Sequence, residues 1–418
     1  MTNFLERYFF FLFSFIPISI LIGPTISLLN IILIAISFLF YCAYFKQWKW
    51  VFDPTIKLLL ILYVYLIFNS LIAIDFSESF KRNFGFIRFI IFFAAFNYFL
   101  NKYENFNKIF LIWLIVIFTV SFDITYEYIN GKNILGFGED VFATANGKRI
   151  VSFFKDEAIA GGFVASFFLM LTGYSILLTQ DKKKMKLLPV ALILFFFISI
   201  ILTTERSNSL KAILGFFIFY FIVMNYSFKK KIFISVLTLA ILIIFISRSH
   251  YLKERFYHGF VMNMTTKESI SKFYNNSVYF NLYKSGFNIF KVYPSFGVGN
   301  KNYRIEACKI KSPEINNVPM YYRCQTHPHQ IYFELLSEHG LIGTSIILSI
   351  IFYLIFSLLK FIIIAKNYLQ LGSLLYMALV FIPILPSGSF FSDFNATLFW
   401  INFSVLYASS SQTNIFKK

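Results

Sequence analysis

The sequence predicts an all-α polytopic membrane protein of about twelve spanning helices, with one large polar loop containing short amphipathic helices. Three observations carry this. First, 58% of the 418 residues are hydrophobic and only 14% are charged, a balance no soluble globular chain of this size shows. Second, apolar stretches of spanning length or slightly under recur near 8–23, 26–45, 56–74, 84–100, 107–124, 159–179, 187–203, 210–227, 232–247, 341–363, 367–386 and 389–408. Third, the lysines fall in short clusters at alternate connections. These are Lys46 and Lys49, Lys102 and Lys108, Lys182 to Lys184 with Lys186, Lys229 to Lys231, Lys366, and Lys417 with Lys418. With those clusters and both termini in the cytoplasm, the two long connections, 125–158 and 248–340, come out on the external face.

The chain therefore divides into helices one to five (1–124), a first external loop (125–158), helices six to nine (159–247), the large external loop (248–340) and helices ten to twelve (341–418). No small-residue cleavage site follows the first apolar run, which reads as a retained span. Pro17 and Pro24 predict kinks there. The net charge of +18 is not a nucleic-acid signature, because it sits in the membrane-flanking clusters. The 59 Phe, with many Lys, Asn and Ile, fit a low-GC genome, so aromatic richness is not read as sugar stacking.

The large loop is too rich in Tyr, Phe and Ile to be disordered. Residues 277–294 have helical spacing, with Tyr279, Leu282, Tyr283, Phe287 and Phe290 on one face. A Gly turn follows at 294–300. All five histidines (His250, His258, His327, His329 and His339) lie in this loop. The stretch 321–343, YYRCQTHPHQIYFELLSEHGLIG, passes from polar chain through a helix with Glu334 and Glu338 on its polar side, then enters a span after Gly340. Cys308 and Cys324 share the loop and are disulfide candidates on the external face; Cys42 lies in a span.

Several residues are candidates for chemistry, each with a plainer alternative. Arg206, in TTERSNSLKAIL at a short outer connection, must face water, a partner or an anion, or else snorkel. Thr203, Thr204, Ser207, Asn208 and Ser209 around it can line an anion pocket. Arg149 and Lys155 are further phosphate candidates, with Glu157 positioning them, against ordinary loop charge. Arg88 near the outer end of its span is either an anchor or a substrate contact. Arg255, Arg304, Arg323 and Lys284 are each a pyrophosphate contact or a solvated charge. His327 and His329 are candidate general bases. Their i,i+2 spacing around Pro328 sends one imidazole into a site and the other away, with His327 favoured and His329 in reserve. A zinc pair lacks a third ligand nearby, so no metal is expected. No nucleotide-binding loop, zinc-protease or serine-hydrolase motif is present, and no cytoplasmic domain exists for a soluble sugar nucleotide. No cofactor is expected.

Five stretches together resemble the bacterial O-antigen ligase and polysaccharide polymerase superfamily. They are TTERSNSLKAIL, YPSFGVGNKNYR (293–304), THPHQIYFELLSEHGLIG (326–343), PSGSFFSDFNATLFW (386–400) and RIVSFFKDEAIAGGF (149–163). The resemblance covers about 125–408 and rests on the order and spacing of motifs that are individually weak. It implies a GT-C-like fold in the bacterial inner membrane with periplasmic long loops. It also implies metal-independent transfer of a glycan from an undecaprenyl-diphosphate donor to a hydroxyl acceptor, with inversion. By motif, Arg206 would bind the diphosphate and His327 would sit at the acceptor hydroxyl. Where many members carry an Arg in the helix before the Gly turn, this chain has Lys284, so Lys284, Arg255 or Arg304 must supply the second cation. The acceptor is either lipid A–core, as in a ligase, or a lipid-linked glycan, as in a polymerase. The alternative from another class is a transporter or flippase of lipid-linked sugars, which should show inverted repeats and broken helices near mid-membrane.

Overall fold

The computed structural model describes residues 2–138, 149–155, 157–180, 185, 187–261, 277–309 and 318–416, and all regular structure among them is helical. Lys182, Lys183, Lys184, Lys186, Lys417 and Lys418 lie outside the described residues. The chain opens with α1 (Thr2–Ser14) and α2 (Ile16–Ile22), which meet at a 47° bend just before Pro17, where Phe15 breaks the helix. There follow α3 (Pro24–Phe45), α4 (Pro54–Leu71), α5 (Phe76–Gly85), α6 (Ile87–Lys102), α7 (Lys108–Asn130), α8 (Ala160–Thr179), α9 (Leu188–Leu202), α10 (Arg206–Val223) and α11 (Phe228–Arg248). After a π-helical run at Lys253–Val261 come α12 (Val278–Val292), α13 (Ile331–Phe356), α14 (Leu359–Ala365), α15 (Tyr368–Val380) and α16 (Asp393–Ala408).

Among the described residues, eight helical segments are long and apolar enough to cross a membrane, or nine if the bent α1–α2 pair counts as one span. The chain is a multi-pass membrane protein. Each of the twelve apolar stretches of the sequence contains helix, but α9, α15 and α16 are short, at 15, 13 and 16 residues. The reason is legible for α15. Pro383 and Pro386 follow it, and neither can donate a ladder hydrogen bond, so 381–392 runs as irregular chain.

The bundle packs closely where side chains are smallest. A Cβ on Gly173 of α8 would come 2.0 Å from the Tyr368 carbonyl oxygen at the start of α15, and one on Gly372 would come 2.3 Å from Leu169 backbone. The two helices therefore touch backbone to backbone. The opposite case is α11, where Leu242 is the one buried residue of an otherwise outward-facing apolar helix.

The Gly turn and the entry to α13 form one unit. Val298 N–H donates to the Ser337 carbonyl (3.0 Å), Gly299 N–H to Glu338 (2.9 Å), Leu341 N–H to Pro294 (2.7 Å) and Ile342 N–H to Ser295 (3.1 Å). Gly340 breaks the helical path with φ 63° and ψ −170°. The far side of the turn is fixed by asparagines: Asn300 N–H donates to Asn69 Oδ1 of α4 (2.8 Å), and Asn300 Nδ2 donates to Asn83 Oδ1 of α5 (2.6 Å). A Cβ at Gly340 would lie 2.4 Å from the backbone of Ser295 and Phe296, in a conformation L-residues avoid. Gly340→Ala is therefore expected to destabilise the folded protein by about 3 kcal/mol or more. A melting temperature in detergent equal to wild type would refute this docking.

Two details differ from the sequence pattern. On α12 the buried residues include Leu282 and Tyr283 of the apolar stripe together with Ser285, Gly286 and Ile289, while Phe287 is exposed. Gly286 lets α12 press against Pro328 and Phe333, where an added Cβ would meet their Cβ atoms at 3.1 Å. Glu334 and Glu338, on the polar side of the next helix by pattern, are both buried. Cys308 and Cys324 are joined by a disulfide.

Candidate active site at the polar end of the bundle

A cavity of about 500 Å³ lies among the ends of α8, α10, α12, α15 and α16. Its deep walls are apolar, including Phe168, Leu169, Leu379, Val380, Leu398 and Phe399. Among the described residues, its charged lining consists of Arg149, Arg206, Lys211, Arg255 and the carboxylate of Glu205. His329, Tyr279, Ser387 and Asn395 complete the polar end.

Arg206 is the first residue of α10, placed by a tight connection from α9 in which Thr204 takes φ 60°. Backbone strain of this kind is held only where packing over-determines it. Here the clamp is Glu205. Its Oε1 accepts from Gly161 N–H (2.7 Å), and its Oε2 accepts from Gly162 N–H (3.2 Å) and Asn208 Nδ2 (2.6 Å). The first two donors are unsatisfied N–H groups at the start of α8, a natural seat for a carboxylate. Only glycine fits: a Cβ on Gly161 would be 2.5 Å from Thr203 Oγ1 and 3.0 Å from the Glu205 carboxyl carbon. Burial pushes the Glu205 carboxyl up to about 7, against the pull of these donors and of Arg149. Of the hydroxyls and amides beside Arg206, Ser207 and Asn208 line the cavity. Thr203 and Ser209 are buried and donate instead to the Ile200 carbonyl, at 2.7 and 3.4 Å.

Arg255 enters from the π-helical run. Burial first, then the charges of Arg206 and Arg149, lower its guanidinium to about 10. Among the described residues, three guanidinium groups thus share the cavity with one carboxylate, and that carboxylate is held by the α8 N-terminus. Such a surplus is poised for a multiply charged anion.

The histidine pair is set by an irregular turn. His329 takes φ 54°, and its carbonyl accepts from Ser387 N–H (2.9 Å). Gln330 then caps α13, its Oε1 accepting from Phe333 N–H (3.0 Å). The two imidazoles lie against each other, centroids 4.0 Å apart and planes tilted by 44°. His329 lines the cavity, its ring held edge-on by Tyr279 at 5.9 Å. His327, with Nδ1 3.0 Å from Thr326 Oγ1, is not part of the cavity wall. Burial, then the neighbouring His329, lowers His327 to about 3. Burial also lowers His329, helped by Arg149 and opposed by a hydrogen bond with Ser387. The irregular 381–392 chain holds this turn in place. Glu334 accepts from Ser389 Oγ and from Phe390 N–H (3.0 Å), Tyr332 Oη donates to the Phe381 carbonyl (2.7 Å), and Tyr283 Oη donates to the Ile384 carbonyl (3.1 Å).

The remaining candidates stand elsewhere. Arg88 pairs with Asp393 and donates to the Gly85 carbonyl (2.7 Å), tying α6 to α16. Arg323 is buried and donates to the Lys309 carbonyl (2.8 Å). Lys155 and Glu157 are exposed. Neither Lys284 nor Arg304 lines the cavity, although the Arg304 charge reaches His327. Glu205, Lys211, Tyr279, Tyr376 and Ser387 line it without having been singled out by sequence. Glu205 and Lys211 did leave a signal, since each is a charge beside or inside an apolar span. Among the described residues no three His, Cys, Asp or Glu side chains are grouped to hold a metal ion.

Fold and site together define a multi-pass helical membrane protein with a cation-lined cavity that is apolar at depth. Residues 189–348 match the family model of O-antigen ligase, so this segment is similar to that family. The matched segment includes Arg206, Arg255, the Gly turn and both site histidines. Comparison with curated proteins finds no match.

Proposed function

We propose that this protein transfers a glycan from an undecaprenyl-diphosphate donor to a hydroxyl acceptor at the periplasmic face of the bacterial inner membrane. The family supports glycan ligation or polymerisation in general. The observation that carries the donor is the pairing, in one cavity, of Arg149, Arg206 and Arg255 with a deep apolar wall. A lipid diphosphate needs both: fixed cations for its head, and a route for its tail that stays in lipid. Arg206 and Arg255 take the diphosphate, with Arg149 beside them. The tail leaves along the apolar side towards the outer leaflet.

The chemical step is a direct displacement with inversion. An acceptor hydroxyl oxygen forms a bond to the anomeric carbon while the bond from that carbon to the phosphate oxygen breaks. The electron pair goes to the departing diphosphate, whose growing charge the guanidinium groups stabilise. The hydroxyl proton goes to the imidazole of His329, the histidine that faces the cavity, and thence to water. An imidazole held at about 3, as His327 is, accepts protons poorly at neutral pH. His327 therefore supports the ring of His329 and its approach to the acceptor.

The acceptor is lipid A–core, with a lipid-linked glycan as the second reading. The test is transfer by purified protein from a polyprenyl-diphosphate oligosaccharide, with each acceptor in turn and with chelator present. Free polyprenyl diphosphate plus a lipid A-linked glycan supports the ligase. A lengthened lipid-linked glycan supports the polymerase. If no diphosphate is released with either acceptor, yet intact lipid-linked sugar crosses liposomes, the protein is a transporter.

A further inference from the structure

Lys211 is the charge in the cavity that this scheme leaves unused. It lies five residues after Arg206 on α10, about 7.5 Å further along the helix axis and into the span. Gly215, one turn deeper on the same face, packs against Leu379 and Leu169 so closely that a Cβ would meet them at 2.7 and 3.0 Å. Leu379 and Leu169 line the cavity, as do Lys211 and, on α15, Tyr376. Both side chains are half-buried, and neither the Lys211 ammonium nor the Tyr376 hydroxyl has a hydrogen bond or ion pair among the described residues. Glu205, the one acidic residue lining the cavity among the described residues, is committed to Gly161, Gly162 and Asn208. An ammonium at membrane depth is costly unless something of opposite charge meets it. Among the described residues nothing supplies that charge, and an anionic ligand can.

We infer that Lys211 and the Tyr376 hydroxyl form a deep anion subsite that takes the phosphate nearest the prenyl chain, making the cavity selective for diphosphate over monophosphate lipids. This rests on the donor reading above. The order of groups along such a donor is sugar, outer phosphate, inner phosphate, prenyl chain. The guanidinium groups stand at the mouth and the apolar wall lies at depth, so the inner phosphate falls between them, at the level of Lys211. An ammonium is a compact charge with three donors on a flexible stem, suited to one phosphate approached from below. A lipid with a single phosphate cannot occupy the mouth and this subsite together.

The test is equilibrium binding of undecaprenyl diphosphate and undecaprenyl monophosphate to the full chain in nanodiscs. Wild type is expected to prefer the diphosphate by roughly tenfold to a hundredfold, the range of one charge-assisted contact. Lys211→Met should lose that preference by weakening the diphosphate alone. Lys211→Arg should keep most of it, and Tyr376→Phe should lose a small part. Exchanging a membrane-depth charge for Met relieves a desolvation penalty, so the variant should fold, and its melting temperature checks this. A preference undiminished in Lys211→Met, or an equal weakening of both lipids, overturns the inference while leaving the donor reading intact. A wild-type protein that binds neither lipid, or both alike, overturns the donor reading as well.

Discussion

Arg206→Ala should lower kcat for glycan transfer by about a hundredfold to a thousandfold, the loss expected when one fixed donor aimed at a leaving group is removed. The leaving diphosphate gains charge as the sugar departs, and the cavity wall is too apolar for water to compensate. Arg206 is the cation with the least freedom to be replaced. Its position is set by the Thr204 turn at φ 60° and by the Glu205 carboxylate clamped on Gly161 and Gly162. Arg206→Lys should recover only part of the rate, since an ammonium cannot bridge two phosphate oxygens in a plane. The quantity to measure is kcat in single-turnover release of polyprenyl diphosphate, beside the binding of that product. A variant that lost binding but kept its single-turnover rate at saturation would make Arg206 a capture residue and remove it from the chemical step.

How much of this was legible in the sequence depends on the scale of the feature. The spans were readable because a bilayer demands long apolar runs, and Arg206 because a charge at a short apolar junction stands out. Of the three residues the sequence offers as a second cation, Lys284, Arg255 and Arg304, Arg255 lines the cavity, carried in by a π-helical run from elsewhere in the loop. That is a tertiary juxtaposition with no local pattern. On α12 periodicity finds the apolar stripe, of which Leu282 and Tyr283 are buried, but not the close approach at Gly286. The burial of Glu334 was illegible because its partners, Ser389 and the Phe390 N–H, come from a proline-broken segment 55 and 56 residues away. The histidines show the limit most clearly. Spacing says that one of the two faces the site, but the choice is made by a positive φ at His329, and no sequence rule assigns that angle.

That choice yields the other large effect. His329→Ala should reduce kcat by roughly a hundredfold to ten-thousandfold, the range for a positioned base, while His327→Ala should cost less, because His327 acts through the neighbouring ring. The pH profile separates these roles. A base must be neutral to act, and burial lowers His329 below its ordinary value near 6.5. Activity that depends on His329 should therefore hold from pH 8 down past 6.5 and fall only at lower pH, as the ring takes up a proton. The Arg149 charge is part of what lowers it. Removing that charge in Arg149→Gln should move the acidic limb to higher pH, whatever happens to the absolute rate, since the protonated ring then loses a repelling neighbour. His327→Ala should move the limb the same way if the two rings compete for one proton. A limb that stays put in both variants would assign it to another group, with Glu205, pushed up to about 7, the first to examine. In that case the imidazole of His329 would orient the acceptor hydroxyl without accepting its proton, and His329→Gln, which retains a hydrogen-bonding group there, should restore much of the rate that His329→Ala loses.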